Sequence, residues 1–253
     1  MSEVMIRTEE ALLIITINRP EARNAINRAT TLAIADAVDR LENDDSLRVG
    51  ILTGSGDNFC AGMDLKAFLN GERVEMQGRG MAGITQTPPR KLLIAAVEGY
   101  ALAGGFEIAL ACDMIVASDT AKFGIPEVKR GLIAGSGGLL RLPARMPRQI
   151  ALEYALTGNM MDATTAQHWG LINRLTSKGG ALNGARALAA EIIANAPLAV
   201  AASKEIIAAS QDWPAGELWS RQNTILDGII GSEDAREGAR AFAEKRNPNW
   251  SGT

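Results

Sequence analysis

The chain contains 253 residues, of which 47% are hydrophobic and 22% charged, and its formal net charge is −3. This composition is typical of a soluble globular protein, and a near-neutral chain without Lys/Arg clusters lacks the electrostatic footprint of a nucleic-acid-binding protein. The one histidine, His168, cannot supply the imidazoles of a catalytic zinc site, and Cys60 and Cys112 form no Cys-x-x-Cys motif. Metal hydrolysis and thiol redox chemistry are therefore disfavoured. A Ser-His-Asp triad would have to use His168, but no Gly-x-Ser-x-Gly motif accompanies it.

The N-terminal residues lack the basic segment and apolar stretch of a secretory signal peptide. No run of about 18 apolar residues occurs, as a membrane-spanning helix would need. We therefore expect a cytoplasmic protein with two reduced cysteines and with no membrane or nucleic-acid partner.

Strands and helices alternate in the first half of the predicted structure. The β-branched runs at 12–17 and 49–53 predict strands. Between them, the spacing of Leu32, Ala35, Val38 and Leu41, with Asp36, Asp39 and Arg40 on the opposite face, predicts an amphipathic helix over 31–41. Further strands are predicted at 92–97 and 114–117, separated by a wholly apolar and therefore buried helix at 106–111. This order predicts an α/β fold.

The sequence becomes mostly helical after about residue 140. Helices are predicted at 148–156, 163–169, 181–195, 198–210, 217–230 and 234–245. Residues 70–90 contain four glycines and two prolines, so we expect a mobile loop there.

Three glycine clusters could bind a ligand: 54–56, 104–105 and 135–138. None fits a P-loop or a dinucleotide fingerprint. The pair Gly104-Gly105 opens the buried helix, where unpaired backbone N–H groups and the helix dipole favour an oxyanion. The alternative is that these glycines only allow tight packing of a strand against the helix.

Two glutamates are candidates for acid–base chemistry. Glu107 is the one charge in an apolar helical turn, and a buried carboxylate is costly unless it is paired or functional. Glu127 follows the turn fixed by Pro126 and, taken alone, is more consistent with an exposed loop acid than with a site residue. Together they could hold a water molecule beside the oxyanion site. Asp64 has the position of a helix N-cap.

Several ordered segments resemble a known family. They are Phe-Cys-Ala-Gly-Met-Asp-Leu-Lys at 59–66, Gly-Tyr-Ala-Leu-Ala-Gly-Gly-Phe-Glu at 99–107, Phe-Gly-Ile-Pro-Glu at 123–127, and the glycine-rich stretch 131–138, with supporting segments at 18–25 and 232–246. Their order is similar to that of the signature segments of the crotonase (enoyl-CoA hydratase/isomerase) superfamily, and the resemblance covers essentially the whole chain.

The resemblance implies a crotonase-like α/β fold, a spiral of ββα units. It divides the chain into a catalytic core, residues 1–195, and a C-terminal helical subdomain, residues 196–253, that covers the active site and assembles homotrimers or dimers of trimers. It also implies an acyl-CoA substrate and no separate cofactor, because coenzyme A enters as part of the substrate.

The same resemblance assigns roles to individual residues. The backbone N–H groups of Met63 and Gly104 would form an oxyanion hole for the thioester carbonyl, and Gly135 would help to position water. Ala61, Asp64, Leu65 and Lys66 lie in the segment that contacts coenzyme A. Lys66 and Lys245, the latter from a neighbouring subunit, are implied as partners of its phosphates, with a solvated surface charge as the alternative for each lysine.

Glu107 and Glu127 together resemble the acid pair of the hydratases. We therefore expect an enoyl-CoA hydratase, a hydro-lyase in which Glu107 polarises water for attack at C3 and Glu127 exchanges the proton at C2. The alternatives are a carnitinyl-CoA (crotonobetainyl-CoA) dehydratase, an isomerase, or an acyl-CoA-binding homologue without activity. Ala103, Ala134 and Met63 depart from the common family pattern, which leaves acyl specificity open.

Overall fold

The computed structural model describes residues 2–253 as a layered α/β domain with additional C-terminal helices. The strands are β1 (Val4–Glu9), β2 (Leu12–Ile17), β3 (Val49–Gly54), β4 (Glu75–Met76), β5 (Gly80–Met81), β6 (Leu92–Val97), β7 (Tyr100–Leu102), β8 (Met114–Ser118), β9 (Lys122–Gly124), β10 (Met161–Asp162) and β11 (Arg174–Thr176). The helices are α1 (Arg28–Asn43), α2 (Leu65–Leu69), α3 (Gly104–Ala111), α4 (Gly138–Arg145), α5 (Arg148–Thr157), α6 (Ala163–His168), α7 (Ala181–Ile193), α8 (Pro197–Ala209), α9 (Leu218–Ile230) and α10 (Glu233–Glu244).

A six-stranded sheet with the order β1-β2-β3-β6-β8-β11 forms the centre of the domain. Strand β1 is antiparallel to β2, and the other neighbours are parallel. A second sheet, β10-β9-β7, lies beside it, and β4 pairs with β5 in a hairpin. The α/β prediction and the four strands predicted in the central sheet are confirmed.

Both faces of the central sheet are covered, which explains the unbroken apolar runs of its strands. Ile14, Ile51 and Ile94 share one buried cluster with Ala185 and Ala189 of α7. The opposite face packs against α1 and α3, and every residue of α3 is buried, as the apolar sequence of that helix predicts.

Helix α1 matches the predicted amphipathic helix, with one correction to its buried face. Leu32 was expected in the apolar stripe but is 39% exposed, whereas the neighbouring Thr31 is fully buried. The Thr31 hydroxyl donates to the carbonyl oxygen of Val74 at 2.6 Å, so this polar side chain is satisfied inside the core. Asp36 and Asp39 lie on the exposed face, as predicted.

The loop predicted at 70–90 is partly wrong, because residues 80–85 are all buried. Gly80 and Gly83 have φ values of +73° and +66°, which favour glycine. Gly83 also packs against α1, where an added Cβ would lie 2.5 Å from that of Ala35. These glycines therefore allow a tight turn and close packing rather than a loose segment.

The C-terminal helices are predicted well in position but differ from the core in burial. No residue of α8 or α9 is buried, and several large apolar side chains on α8–α10 are exposed, including Trp219 at 74% and Phe242 at 87%. Within residues 2–253, no single helix is long and apolar enough to cross a membrane; α7 and the segment 197–212 pass that test only as a pair bent by 109°.

Candidate active site

The N-terminus of α3 forms the centre of the site, and its backbone is strained. Ala103, which precedes the helix, has φ +51° and ψ −131°, a conformation that costs a residue with a side chain about 1–3 kcal/mol. The Ala103 N–H donates to the carbonyl oxygen of Gly124 at 2.8 Å, which fixes this turn to β9. The position of Ala103 therefore sets the direction in which α3 begins.

The backbone N–H groups of Met63 and Gly104 have no acceptor within residues 2–253, and neither does that of Gly105, the next residue of α3. Two hydrogen bonds with Ile26 hold the Met63 segment in place. The Ile26 N–H donates to the Gly62 carbonyl and the Ile26 carbonyl accepts from the Asp64 N–H, both at 2.8 Å. A Cβ added to Gly62 would lie 3.1 Å from the Gly104 nitrogen, so the two segments touch. The structure thus brings together two free donors, an arrangement that suits an oxyanion.

Glu107 projects from the first turn of α3 and is only 2% exposed. Its Oε1 accepts hydrogen bonds from the backbone N–H groups of Ser136 and Gly138, each at 2.8 Å. Burial raises the pKa of Glu107 to about 7, with contributions from the charges of Glu127 and Glu75, although both hydrogen bonds oppose the shift. No donor within residues 2–253 bonds its other carboxylate oxygen.

Ser136 and Gly138 contact Glu107 through their backbone N–H groups, a contact that the sequence did not reveal. Their glycine-rich segment showed no ligand motif, yet it supplies the donors that orient Glu107. A Cβ on Gly138 would lie 3.0 Å from Glu107 Cγ, so a side chain there would press on the carboxylate. Backbone N–H groups have no sequence signature, and only the abundance of glycine gave a hint.

Glu127 lies in the 3₁₀ turn Pro126–Arg130 and is half-buried, unlike a solvated loop acid. Burial raises the pKa of Glu127, and its charge contributes to the raised pKa of Glu107, so the two carboxylates are within electrostatic reach. Glu127 Oε2 is buried and has no hydrogen-bond partner within residues 2–253. Such an acceptor calls for a water molecule or a substrate group.

The predicted coenzyme A segment lies next to these donors. Asp64 caps α2 by accepting from the N–H groups of Lys66 and Ala67, and it also forms an ion pair with Arg19 at 2.8 Å. Ala61 is half-buried, while Leu65 and Lys66 are exposed.

The two remaining predicted residues lie on the surface. Gly135 is exposed and directly precedes Ser136. Lys245 is exposed at the end of α10, and no hydrogen bond or ion pair within the described chain joins its side chain to the site.

A cleft of about 440 Å³ opens beside the two backbone donors. Eight residues line it: Met63, Phe68, Gly71, Glu72, Arg73, Val74, Glu75 and Met81. Sequence reasoning missed Glu75, because an acid in an apparent loop carries no pattern signal.

Free donors beside two glutamates of raised pKa define a site for acid–base chemistry at a group that develops negative charge on oxygen. A family model described as enoyl-CoA hydratase/isomerase matches residues 7–253. A carnitinyl-CoA dehydratase from Proteus mirabilis is 44% identical over 253 residues, 97% of each chain. The chain therefore belongs to the enoyl-CoA hydratase/isomerase family, the crotonases, as predicted.

Solved structures support the predicted crotonase fold. An enoyl-CoA hydratase from Mycobacterium marinum is 58% identical and superimposes with a TM-score of 0.98 over the whole of both chains. A carnitinyl-CoA hydratase from Mycobacterium avium is 42% identical, with a TM-score of 0.80 over the whole of both chains. The names of all three relatives denote hydro-lyases, the class of enzyme expected from the sequence.

Proposed function

We propose that the protein is a hydro-lyase that reversibly adds water across the C2=C3 double bond of a 2-enoyl-CoA thioester. The observation that carries this proposal is the pair Glu107 and Glu127, both with raised pKa values, beside the unpaired N–H groups of Met63 and Gly104. A protein that only binds acyl-CoA has no need for two carboxylates at the reacting carbons.

The thioester carbonyl oxygen accepts hydrogen bonds from the Met63 and Gly104 N–H groups. Attack at C3 moves negative charge onto this oxygen, and donors already aimed at it stabilise that charge without reorganising. In comparable sites each such donor contributes about 3 to 4 kcal/mol to transition-state stabilisation.

The water molecule lies between the two glutamates. In hydration, ionised Glu107 accepts a proton as the water oxygen bonds to C3, while protonated Glu127 delivers a proton to C2. Since two close carboxylates resist ionising together, one shared proton on the pair near neutral pH is the state that this step requires. Proton exchange with solvent returns the pair to that state, and dehydration runs through the same steps in reverse.

The relatives' names suggest two different acyl groups for the substrate. Enoyl-CoA hydratase structures favour a plain 2-enoyl-CoA, whereas the carnitinyl-CoA dehydratase of Proteus mirabilis favours a polar substrate. The second candidate function is therefore the interconversion of carnitinyl-CoA and crotonobetainyl-CoA by the same residues, and the curated relatives favour it.

We further propose a homotrimer or a dimer of trimers, with residues 196–253 at the subunit contacts and Lys66 and Lys245 at the coenzyme A phosphates. The exposed apolar side chains of α8–α10 support this assembly, since exposed patches of this kind mark interaction sites. Sedimentation velocity tests it, and a monomer would contradict it.

The reaction is tested by following the enoyl thioester absorbance with crotonyl-CoA and with crotonobetainyl-CoA. We expect Glu107→Gln and Glu127→Gln each to lower kcat by about 10²- to 10⁴-fold, because each removes a general acid–base group. Glu10→Gln, on the exposed turn between β1 and β2, is the matched control and leaves kcat unchanged. Unchanged turnover in both site variants would refute the assigned roles, and calorimetric binding of acyl-CoA without any turnover would indicate a binding protein.

A further inference from the structure

Glu75 is a third carboxylate near the reaction centre, and the proposed mechanism does not use it. No cation within residues 2–253 forms an ion pair with it, and its only side-chain partner is the Ser136 hydroxyl, at 3.4 Å from Oε1. The carboxylate of Glu72, in the same cleft, is by contrast engaged by the backbone N–H of Arg28.

Ser136 connects Glu75 to the catalytic pair. The Ser136 N–H donates to Glu107 at 2.8 Å while its hydroxyl contacts Glu75. The charge of Glu75 also contributes to the raised pKa of Glu107, which places the two carboxylates within electrostatic reach.

The cleft that contains Glu75 begins where the acyl chain must leave the reaction centre. Met63, whose N–H faces the thioester oxygen in the proposed mechanism, lines it. Met81 lines it too, and the Met81 sulfur lies 2.4 Å from where a Cβ on Gly104 would be. With C1 held at these donors and C3 at Glu107, the acyl atoms from C4 onward enter this cleft.

The Glu75 carboxylate is exposed and has no cationic partner among residues 2–253. Glu72 and Arg73 of the cleft carry opposite charges, and the Arg28 guanidinium donates to the main-chain carbonyl of Glu75 at 2.8 Å rather than to its carboxylate. A neutral acyl chain that displaced water from this carboxylate would leave it without a partner, which is unfavourable, whereas a cation would replace the lost solvation.

An aromatic ring completes this environment. The Phe68 side chain lines the same cleft and is 52% exposed, so a ligand in the cleft can reach it. Aromatic faces and carboxylates together recognise quaternary ammonium groups, which have no hydrogen to donate and bind through charge and ring contact.

We propose that Glu75 is a specificity-determining residue that, with Phe68, selects short acyl-CoA thioesters bearing a quaternary ammonium group at C4. The inference rests on the proposed function for the placement of the thioester, but it concerns binding and is testable without turnover. Glu75 carries out no chemistry in this proposal; it sets which acyl groups bind beside the catalytic pair.

The test compares two saturated ligands that differ only in charge: 4-(trimethylammonio)butanoyl-CoA and its neutral isostere 5,5-dimethylhexanoyl-CoA. Calorimetry on the unmodified protein is expected to give a Kd at least tenfold lower for the cation. Glu75→Gln is expected to remove at least tenfold of this preference, mainly by weakening binding of the cation, and Glu75→Asp to restore part of it. Phe68→Leu reduces it by a smaller factor, about threefold.

The control variant is Glu10→Gln, which removes the same charge far from the cleft and leaves the preference unchanged. A preference that survives Glu75→Gln, or a protein that binds both ligands equally, overturns the proposal. Turnover of crotonyl-CoA, measured on the same samples, separates the two hypotheses: activity without cation preference overturns only the role of Glu75, while cation preference without activity supports Glu75 and overturns the hydro-lyase.

Discussion

The catalytic layer, by which we mean α3 and the segments that contact Glu107, differs in burial from the C-terminal helices α8–α10. Every residue of α3 is buried and two backbone hydrogen bonds orient Glu107, whereas α8 and α9 contain no buried residue. The apolar side chains of the first region are buried in the core of the same chain. The second leaves apolar side chains exposed, so the single chain combines a buried candidate site with the exposed apolar surface on which the proposed assembly depends.

Polar contacts join the two regions. The Lys204 ammonium on α8 donates to Asp113 at 2.6 Å, to the Pro89 carbonyl at 2.8 Å and to the Lys91 carbonyl at 3.0 Å. Cavities of about 410 and 780 Å³ flank this lysine, and neither is lined by Glu107 or Glu127. The helices are therefore attached at points rather than by a continuous packed interface.

The largest expected effect concerns pH and the catalytic layer. Because the pKa of Glu107 is raised from 4.5 to about 7 in the folded chain, its contribution to stability is fully present below pH 4.5 and is lost as pH rises through 7. The expected loss is about 3 kcal/mol. Chemical denaturation between pH 5 and pH 8 measures it.

Glu127, whose pKa is also raised, adds to this loss in the same direction. In Glu107→Gln the fall in unfolding free energy between pH 5 and pH 8 should therefore be smaller but not absent. An equal fall in the variant and the parent would contradict the assignment to Glu107.

A methyl group added at Gly138 should lower activity without changing the oligomeric state. Gly138→Ala places a Cβ 3.0 Å from Glu107 Cγ and displaces the carboxylate, so kcat should fall about 100-fold, roughly 2.7 kcal/mol in barrier height. Sedimentation should be unchanged. Gly216→Ala, at a position with no atom within 4 Å of the added carbon, is the control. A similar loss in both variants would indicate general sensitivity rather than a positioned glutamate.

Removing the Lys204 ammonium should loosen the second region selectively. Lys204→Met leaves Asp113 and two carbonyls without their donor, and the expected loss is about 2 kcal/mol, since hydrogen bonds to charged groups contribute about 1.5–3. Hydrogen exchange should increase in α8–α10 and not in α3. The exposed Lys178→Met serves as control, and a uniform increase in exchange would show that the two regions unfold together.

The same contrast explains how far the sequence could predict the structure. Long elements with one clear period, such as β2, α1 and α3, were predicted within a few residues because burial dictates their pattern. Helix α4 was missed because it contains Pro143 and begins in glycines, and β7, β9 and β10 were missed because two or three residues carry no period.

The site residues differ in the same way: some carry a pattern in the sequence and others do not. Glu107 was identified because a charge in an apolar helix is conspicuous. Glu75 was not, because its significance comes from neighbours that are distant in sequence. The orientation of the Glu107 carboxylate likewise depends on the backbone N–H groups of Ser136 and Gly138, which carry no sequence signal, whereas burial raises its pKa against both hydrogen bonds.

The smallest expected effect tests whether strain at the catalytic layer can be relieved without disturbing either region. Ala103→Gly removes the side chain from a residue at φ +51°, so the unfolding free energy should rise by about 1 kcal/mol, the relief of strain exceeding the entropy lost by glycine. Turnover should stay within twofold, because the Gly124 carbonyl still accepts from residue 103 and holds the start of α3. Chemical denaturation and crotonyl-CoA turnover measure the two quantities. A loss of stability would mean that packing of the Ala103 methyl group, which lies 2.9 Å from where a Cβ on Gly62 would be, outweighs the strain.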